Sequence, residues 1–158
     1  MDNMYTDCTS IKSYLPMTYN KVNVKVVNYM FANSGVTDIM GTFWNFPNVS
    51  GNLCGVFNGC TRLTKYNFVS ANMPNVTGIP SNFFTSNTYR APIDMSNSRF
   101  DNLTSIAMVW SGTNDINMYN MYAPNLTLNH IIPASINLAN ATINSMQWNS
   151  MTYGIRQC

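Results

Sequence analysis

The sequence contains no glutamate, a single histidine and few charges of either sign. Lysine and arginine together number 8 and all 6 acidic residues are aspartate, so 9% of the 158 residues are charged, against roughly a quarter in an average soluble domain. The net charge is only +2, and nucleic-acid binding requires a much denser basic stripe. We therefore expect no nucleic-acid partner.

Long apolar runs are missing as well. No stretch approaches the roughly 18 apolar residues of a membrane-spanning helix, so no membrane insertion is expected. The first residues, MDNM, have neither the basic region nor the apolar region of a signal peptide. We therefore expect no signal peptide in this chain, and a surface location would be reached by another route, such as assembly into a phage that is released by lysis.

What the sequence does contain is a repeat with a period of about 26 residues. A period of this size is typical of a solenoid, in which each unit buries its apolar face only against its neighbours. The repeat therefore predicts one solenoid domain, residues 1–158, in which the last unit is degenerate. The units start near a recurring large apolar anchor, namely Tyr5, Phe31, Phe57, Phe84, Trp110 and Ile136.

A second block recurs within each unit and points to β structure. Short alternating segments such as Val76–Ile79 are bounded by Asn, Gly, Pro and Ser, which predicts short strands and turns. Short helical or 3₁₀ segments are expected at most near 30–32 or 80–84. We interpret the Asn that opens each block as a corner residue whose amide bonds backbone groups, and this explains four of the five glycosylation sequons. The recurring positions are Asn23, Asn48, Asn75, Asn102 and Asn125.

The units resemble the BspA-type leucine-rich repeats, a bacterial surface family also found in mycoplasma lipoproteins. The resemblance rests on Phe57-Asn58-Gly59-Cys60-Thr61-Arg62-Leu63 and on Asn75-Val76-Thr77-Gly78-Ile79, and it covers most of the chain. It departs at Ser86-Asn87-Thr88, where Gly-Cys-Thr would stand. The six anchors predict a solenoid of about six coils. The resemblance implies that this solenoid is curved and leucine-rich-repeat-like and has roles in adhesion, and it supplies no catalytic residues.

The sequence offers no catalytic or metal-binding constellation. Zinc binding would need close-spaced Cys and His pairs, and His130 has no such neighbour. Cys8 and Cys60 take the same place in coils two apart, too distant for a disulfide, and we interpret them as small residues beside a turn. Glycoside hydrolysis would need two carboxylates at one bond, and no two aspartates share a repeat position. No cofactor is expected, and a carbohydrate-active enzyme is the least favoured function.

Aromatic residues outside the anchors are the candidate binding residues. Trp44 and Trp148 fall in the segments that link the two blocks, where a Trp on a coil edge can stack on a sugar or enter a protein pocket. The alternative is a partly buried Trp that covers the end of the core. The tyrosine candidates are Tyr19, Tyr89 and Tyr122.

The sequence thus predicts a non-enzymatic repeat protein displayed on a surface. We expect a structural, decoration or fibre subunit of a virion, located on its surface, and the alternative is a cell-surface or extracellular adhesin module that binds a host protein or glycan. The first anchor lies only four residues from the start of the sequence. We therefore expect a protein partner or a symmetry mate at the N-terminal coil, where no cap is evident.

Overall fold

The chain folds as a parallel β-solenoid. The computed structural model describes residues 1–12, 21–39, 41–84, 91–107, 115–131 and 133–148. In these residues the helical elements are three short 3₁₀ turns: η1 (Lys21–Asn23), η2 (Gly41–Trp44) and η3 (Ser81–Phe83). η3 lies in the 80–84 segment where a short helical piece was predicted, whereas residues 30–32 form hydrogen-bonded turns. No helix in the described part of the chain is long and apolar enough to cross a membrane.

Two parallel sheets run along the solenoid. The five-stranded sheet consists, in spatial order, of β1 (Gly51–Asn52), β3 (Val76–Ile79), β5 (Ser105–Ile106), β7 (Tyr122–Ile131) and β9 (Thr142–Trp148). The four-stranded sheet consists of β2 (Tyr66–Asn67), β4 (Ile93–Asp94), β6 (Asp115–Asn117) and β8 (Ser135–Asn137). Successive strands belong alternately to the two sheets, so each turn of the solenoid adds one strand to each sheet. Strands β1 to β9 therefore span about four turns. The predicted mainly β solenoid is confirmed.

The first three anchors stack as the sequence predicts. The rings of Tyr5 and Phe31 lie 5.2 Å apart and those of Phe31 and Phe57 lie 5.9 Å apart, both pairs nearly parallel. The backbone N–H of Tyr5 donates to Met30 O (2.7 Å), and that of Phe31 donates to Val56 O (3.0 Å). The 26-residue period therefore holds in the N-terminal half, where successive turns superpose their aromatic residues.

At the fourth coil the predicted anchor Phe84 shares its role with Phe83. The N–H of Phe57 donates to Phe83 O at 3.1 Å, and the two rings meet edge to face at 5.3 Å. Phe83 is fully buried, whereas Phe84 is only half-buried. The earlier anchors bond the residue that precedes the next anchor, as Phe31 N bonds Val56 O, so the bond to Phe83 O places Phe84 at the predicted position of the backbone. The side chain that fills the core there is that of its neighbour Phe83. Trp110, the predicted fifth anchor, lies outside the described residues.

The sixth predicted anchor, Ile136, occupies a different place in the coil. It pairs with Ile116, which pairs with Ile93, which pairs with Tyr66 in the four-stranded sheet. The successive steps are 27, 23 and 20 residues, so the coil shortens towards the C-terminus. A constant period drifts out of register there, and the prediction of an anchor at Ile136 was wrong for that reason.

The C-terminal half carries its own repeat, a turn that follows each strand of the four-stranded sheet. A side-chain oxygen accepts the N–H two residues on, at Asn67, Asp94, Asn117 and Asn137. The residue three positions on has left-handed backbone angles, at Ser70, Asn97, Asn120 and Asn140. Asx side chains stabilise such turns by mimicking a backbone bond. The last unit lacks the aromatic anchor, but its Asx turn at Asn137 is in register with the Asx turns of the preceding coils.

The core lies between the sheets and stays filled because neighbouring coils complement each other in size. Met73, Phe100, Ala123 and Ile143 occupy one position in four successive coils, so that large and small side chains interlock. The first three are at most 1% exposed, whereas Ile143 is half-buried. The other core positions of this last coil are half-buried too, which leaves its apolar edge partly open to solvent.

Replacing Ser70 with asparagine should stabilise the fold by about 0.5–1 kcal/mol. Ser70 has a φ of 59°, and the three later coils carry Asn at this position. Asn tolerates left-handed angles better than Ser, and its amide can continue the bond that Asn120 donates to Asn97 at 3.0 Å. Urea unfolding would measure the gain. Ser105→Asn, on an exposed strand position, should bring none, and equal gains in both variants would contradict the turn argument.

Candidate functional site

The outer face of the five-stranded sheet carries a ladder of small uncharged side chains. Thr77 Oγ1 donates to Asn52 Oδ1 at 3.3 Å, and Thr104 Oγ1 donates to Thr77 O at 2.9 Å. Thr127 and Ser145 continue the ladder through a hydroxyl pair at 3.2 Å. Alternation along each strand points these residues outward while their neighbours fill the core. The face is therefore regular, polar and uncharged.

A second row of side chains, which we name the corner column, borders this face. Asn45, Asn72, Arg99 and Tyr122 are joined in that order by isolated parallel bridges. Asn72 Nδ2 donates to Asn45 Oδ1 at 3.2 Å. Neighbouring members of such a ladder lie ~4.8 Å apart, so their planar side chains follow one another at the spacing of the coils.

Arg99 in the corner column is paired with Asp101. Arg99 Nε and Nη2 donate to the two carboxylate oxygens of Asp101, each at 2.7 Å, in a bidentate geometry. The hydrogen bond and the charge of Asp101 raise the pKa of Arg99, and the hydrogen bond from Arg99 lowers the pKa of Asp101. Both groups are therefore charged around neutral pH, and the pair as a whole is neutral.

Tyr122 ends the corner column and is well exposed. Its side chain is 45% exposed, and the Arg99 guanidinium carbon lies 5.6 Å from the centroid of its ring. The guanidinium lies over the ring, and in the next coil Tyr122 pairs with the small, exposed Thr142. This arrangement leaves an aromatic surface beside a set of polar groups.

The structure places Trp44, a predicted binding residue, in the core. Its side chain is 0% exposed, and its ring contacts those of Phe43 (5.1 Å), Phe57 (5.7 Å) and Phe68 (4.9 Å). The prediction that it stacks on a ligand was wrong, because the linking segment turns inward at η2 and buries the indole. Its Nε1 has no hydrogen-bond acceptor among the described residues.

The other predicted binding residues are distributed differently. Tyr122 is exposed in the corner column, as described above. Trp148 is the last residue of β9, where its backbone pairs with Ile131. Tyr19 and Tyr89 lie outside the described residues. Of the predicted binding residues whose side chains the structure describes, Tyr122 is exposed and Trp44 is buried. The groups that surround Tyr122 were not predicted from the sequence.

Arg99, Asp101 and Asn72 are the neighbours that sequence reasoning missed. Asn72, Arg99 and Tyr122 each stand five residues after the Asx residue of their turn, that is, after Asn67, Asp94 and Asn117. Counting from the Asx turn rather than from the aromatic anchor would have aligned them. The five-residue spacing from the Asx residue to the corner column was thus present in the sequence, but the Asx turns themselves do not recur at a constant period.

The recurrent Asn of the second block behaves as a corner residue in two coils. Asn75 Nδ2 donates to Pro47 O and Asn125 Nδ2 donates to Asp101 O, both at 2.8 Å. The prediction that this amide bonds backbone groups is confirmed for both residues. Direct bonds between stacked asparagines occur instead in the corner column and in the Asx turns, for example from Asn137 to Asn117 at 3.2 Å.

Cysteine and aspartate side chains form hydrogen bonds between neighbouring coils. Cys60 is buried; its Sγ donates to Phe31 O at 2.8 Å, and burial raises the pKa of the thiol. Asp94 accepts from Asn117 at 3.2 Å, and Asp115 accepts from Ser135 at 2.6 Å. In the described part of the chain, no group of three or more His, Cys, Asp or Glu residues is arranged to hold a metal ion.

The comparisons with known proteins identify no relative. No family model, no curated protein and no solved structure matches this chain. The fold and the corner column are therefore the basis for any statement about function.

Proposed function

We infer that this chain is a non-enzymatic repeat protein displayed on a surface, where it serves as a structural, decoration or fibre subunit of a virion. The observation that carries this inference is the outer face of the five-stranded sheet, a ladder of uncharged hydroxyl and amide groups that repeats at every coil. Such a face stays hydrated without charge, and it offers shape-based recognition through neutral hydrogen bonds.

The finer assignment is a BspA-like leucine-rich-repeat solenoid of about six coils. Support comes from the aromatic stack of Tyr5, Phe31 and Phe57 and from Cys60, whose thiol bonds the preceding coil. These residues belong to the motif on which the resemblance rests. The shortening of the later coils is a departure from a uniform repeat of this type.

A cell-surface or extracellular adhesin that binds a host protein or a glycan is the second candidate. Tyr122 and Arg99 favour it, because exposed tyrosine and arginine side chains are enriched where proteins bind other molecules. The two candidates differ in what the protein contacts: other subunits of a particle, or a foreign molecule.

The virion proposal includes a partner chain or symmetry mate at the N-terminal coil. Three large apolar side chains in this region are at least one-third exposed, namely Met4, Val26 and Tyr29. They lie on adjacent chain segments, since the N-terminal amine donates to Val26 O and Asn3 N donates to Asn28 O. Exposed apolar groups in one region of a surface are typical of a protein contact.

Size-exclusion chromatography with light scattering tests the proposal on the full chain. A structural subunit should form a defined oligomer, and Val26→Lys should shift it towards the monomer, because a charge in an apolar contact is costly. Tyr119→Lys is the matched control, because Tyr119 is exposed in the turn after β6, away from the N-terminal coil and from the ladder, and it should leave the mass unchanged. A wild-type chain that stays monomeric at high micromolar concentration would overturn the subunit assignment and leave the adhesin.

A further inference from the structure

The last coil of the solenoid has a free edge. Strand β9 is the final strand of the five-stranded sheet and β8 is the final strand of the four-stranded sheet, and in the described part of the chain no strand pairs with the outer side of either. β9 has seven residues, whereas β1, β3 and β5 have two to four. Because a free strand edge presents unpaired N–H and C=O groups, it is a template for pairing with another strand.

This edge lacks the features that usually prevent such pairing. Natural proteins protect their edge strands with charged side chains, with proline or by keeping the strands short. Residues 133–148 contain no charged side chain, and β9 contains no proline. The exposed side chains of β9 include Thr142, Asn144, Ser145 and Gln147, all of them neutral. A second strand of the same kind can therefore approach without like-charge repulsion.

The apolar core of the last coil is covered on one side only. Four of its residues are half-buried, whereas the residues at the same positions one coil earlier are at most 2% exposed. The half-buried residues are Ile136, Leu138, Ile143 and Met146. Their equivalents are Ile116, Met118, Ala123 and Leu128. A further layer of apolar side chains would bury the last coil as fully as the preceding one, and removing this surface from water is favourable.

The backbone bonds between coils also stop at this end. Met95 N donates to Asn117 O in the next coil at 2.7 Å, and Met118 N donates to Asn137 O at 2.8 Å. Leu138 follows Asn137 as Met118 follows Asn117, so its N–H takes the same position in the last coil. Among the described residues this N–H has no acceptor. The last coil therefore offers both a strand edge and an open core to a further chain segment.

The size of the coils indicates which segment fits this end. The stacked anchors Tyr5 and Phe31 are 26 residues apart, whereas the last step, from Ile116 to Ile136, is 20 residues. The first coil of another copy is therefore too long to match the last coil, and head-to-tail stacking would leave strands and core out of register. The surface that matches in size, in apolar positions and in lack of charge is the last coil of a second copy. A contact between like surfaces is closed by a two-fold axis.

We propose that two copies of this chain associate through their last coils, with β9 of one copy pairing antiparallel with β9 of the other. Antiparallel pairing suits two identical strands, because residues that lie opposite each other can exchange both backbone bonds. Full overlap of Thr142–Trp148 places Ser145, the middle residue of β9, opposite the partner's Ser145. This inference rests on the proposed function, since it names a contact through which the subunit assembles.

A charge-swap experiment on the full chain tests the pairing. Val26→Lys is the background, because it blocks the N-terminal contact, and light scattering at high micromolar concentration should give twice the 17.8 kDa of one chain. Ser145→Lys and Ser145→Asp each place like charges opposite each other and should weaken the dimer at least about tenfold. An equimolar mixture of the two variants should restore it. Tyr119→Lys, whose charge lies one coil away from β9, is the control and should leave the dimer intact.

Disulfide cross-linking tests the register independently. Opposite residues in an antiparallel pair have Cα atoms about 5 Å apart, which is within the range of a disulfide. Ser145→Cys should therefore cross-link two copies on oxidation, and peptide mass mapping distinguishes this bond from bonds of the native cysteines. Thr142→Cys is the matched control in the same strand. It lies opposite the partner's Trp148, so the two introduced thiols are roughly 20 Å apart and should not cross-link.

The outcomes separate this contact from the proposed function. A monomer in the Val26→Lys background overturns the β9 contact, and so does a dimer that Ser145→Lys leaves intact. If the wild type is an oligomer that Val26→Lys alone dissociates into monomers, the subunit role stands and only the β9 contact fails. If the wild type and Val26→Lys are both dimers that Ser145→Lys dissociates, the β9 contact stands and the N-terminal contact fails.

Discussion

Trp44→Ala is expected to lower the free energy of unfolding by about 4 kcal/mol, within the range for truncation of a large buried aromatic residue. The indole is enclosed by aromatic rings from its own coil and the next, including Phe43, Phe57 and Phe68. These rings come from separate turns of the backbone, so they cannot close the cavity without disturbing the ladders between coils. Urea unfolding followed by far-ultraviolet circular dichroism measures the loss without relying on Trp fluorescence.

Two matched variants separate the contributions of Trp44. Trp44→Phe keeps an aromatic ring in the cluster and removes an indole N–H that has no acceptor among the described residues, so it should cost only about 1 kcal/mol. Tyr119→Ala removes an exposed ring and should change stability by less than about 0.5 kcal/mol. If Trp44→Ala were as stable as the wild type, Trp44 would not lie in the core. A loss of ligand binding in Trp44→Ala would likewise report unfolding rather than a lost contact.

Gly35→Ala is expected to cost about 4 kcal/mol at the junction of the first two coils, at the upper end of single-substitution effects. A Cβ at this position would lie 2.0 Å from Thr9 O and 2.8 Å from Ile11 O. Both are backbone atoms, so no side-chain rotation relieves the clash. Gly35 N also donates to Cys8 O at 3.2 Å, and the added methyl group would force these segments apart.

Hydrogen exchange would locate this loss. In a solenoid each coil contacts only its neighbours, so the first coil should separate while the sheets persist. Amides that bond across the junction, such as Tyr5 N to Met30 O, should exchange about 10³-fold faster. Gly51→Ala is the control: Gly51 has a φ of 77° with open space around it, so only backbone strain of about 1 kcal/mol is expected. Equal effects in the two variants would refute the steric argument.

The sequence predicted the N-terminal half of the fold better than the C-terminal half. The stack of Tyr5, Phe31 and Phe57 follows from a period that stays constant. The assignment of Ile136 failed because the turns shorten by 4 and then 3 residues, as the steps of 27, 23 and 20 show. Counting a fixed period cannot detect such a change, because it assumes the very spacing from which the shorter coils depart.

The candidate site was predicted only in part, for a related reason. Tyr122 was named from its residue type and its place outside the anchors, but Arg99 and Asp101 came to its side only through the register of adjacent coils. Trp44 is also an aromatic residue outside the anchor positions, like Tyr122, and yet its side chain is buried. Residue type and spacing do not tell which way a side chain of a linking segment points, because that depends on how the backbone turns at η2.

By itself, the sequence determined the class of the protein: a β-rich repeat with few charges, apolar anchors at a regular period, and asparagines at the corners. These features are local or periodic, and they follow from residue preferences at turns and strands. The tertiary structure decided the register of the shortened coils, the burial of Trp44 and the meeting of Arg99, Asp101 and Tyr122. Those depend on which residues lie one coil apart, and that distance along the chain is set by backbone pairing between the coils rather than by any single segment.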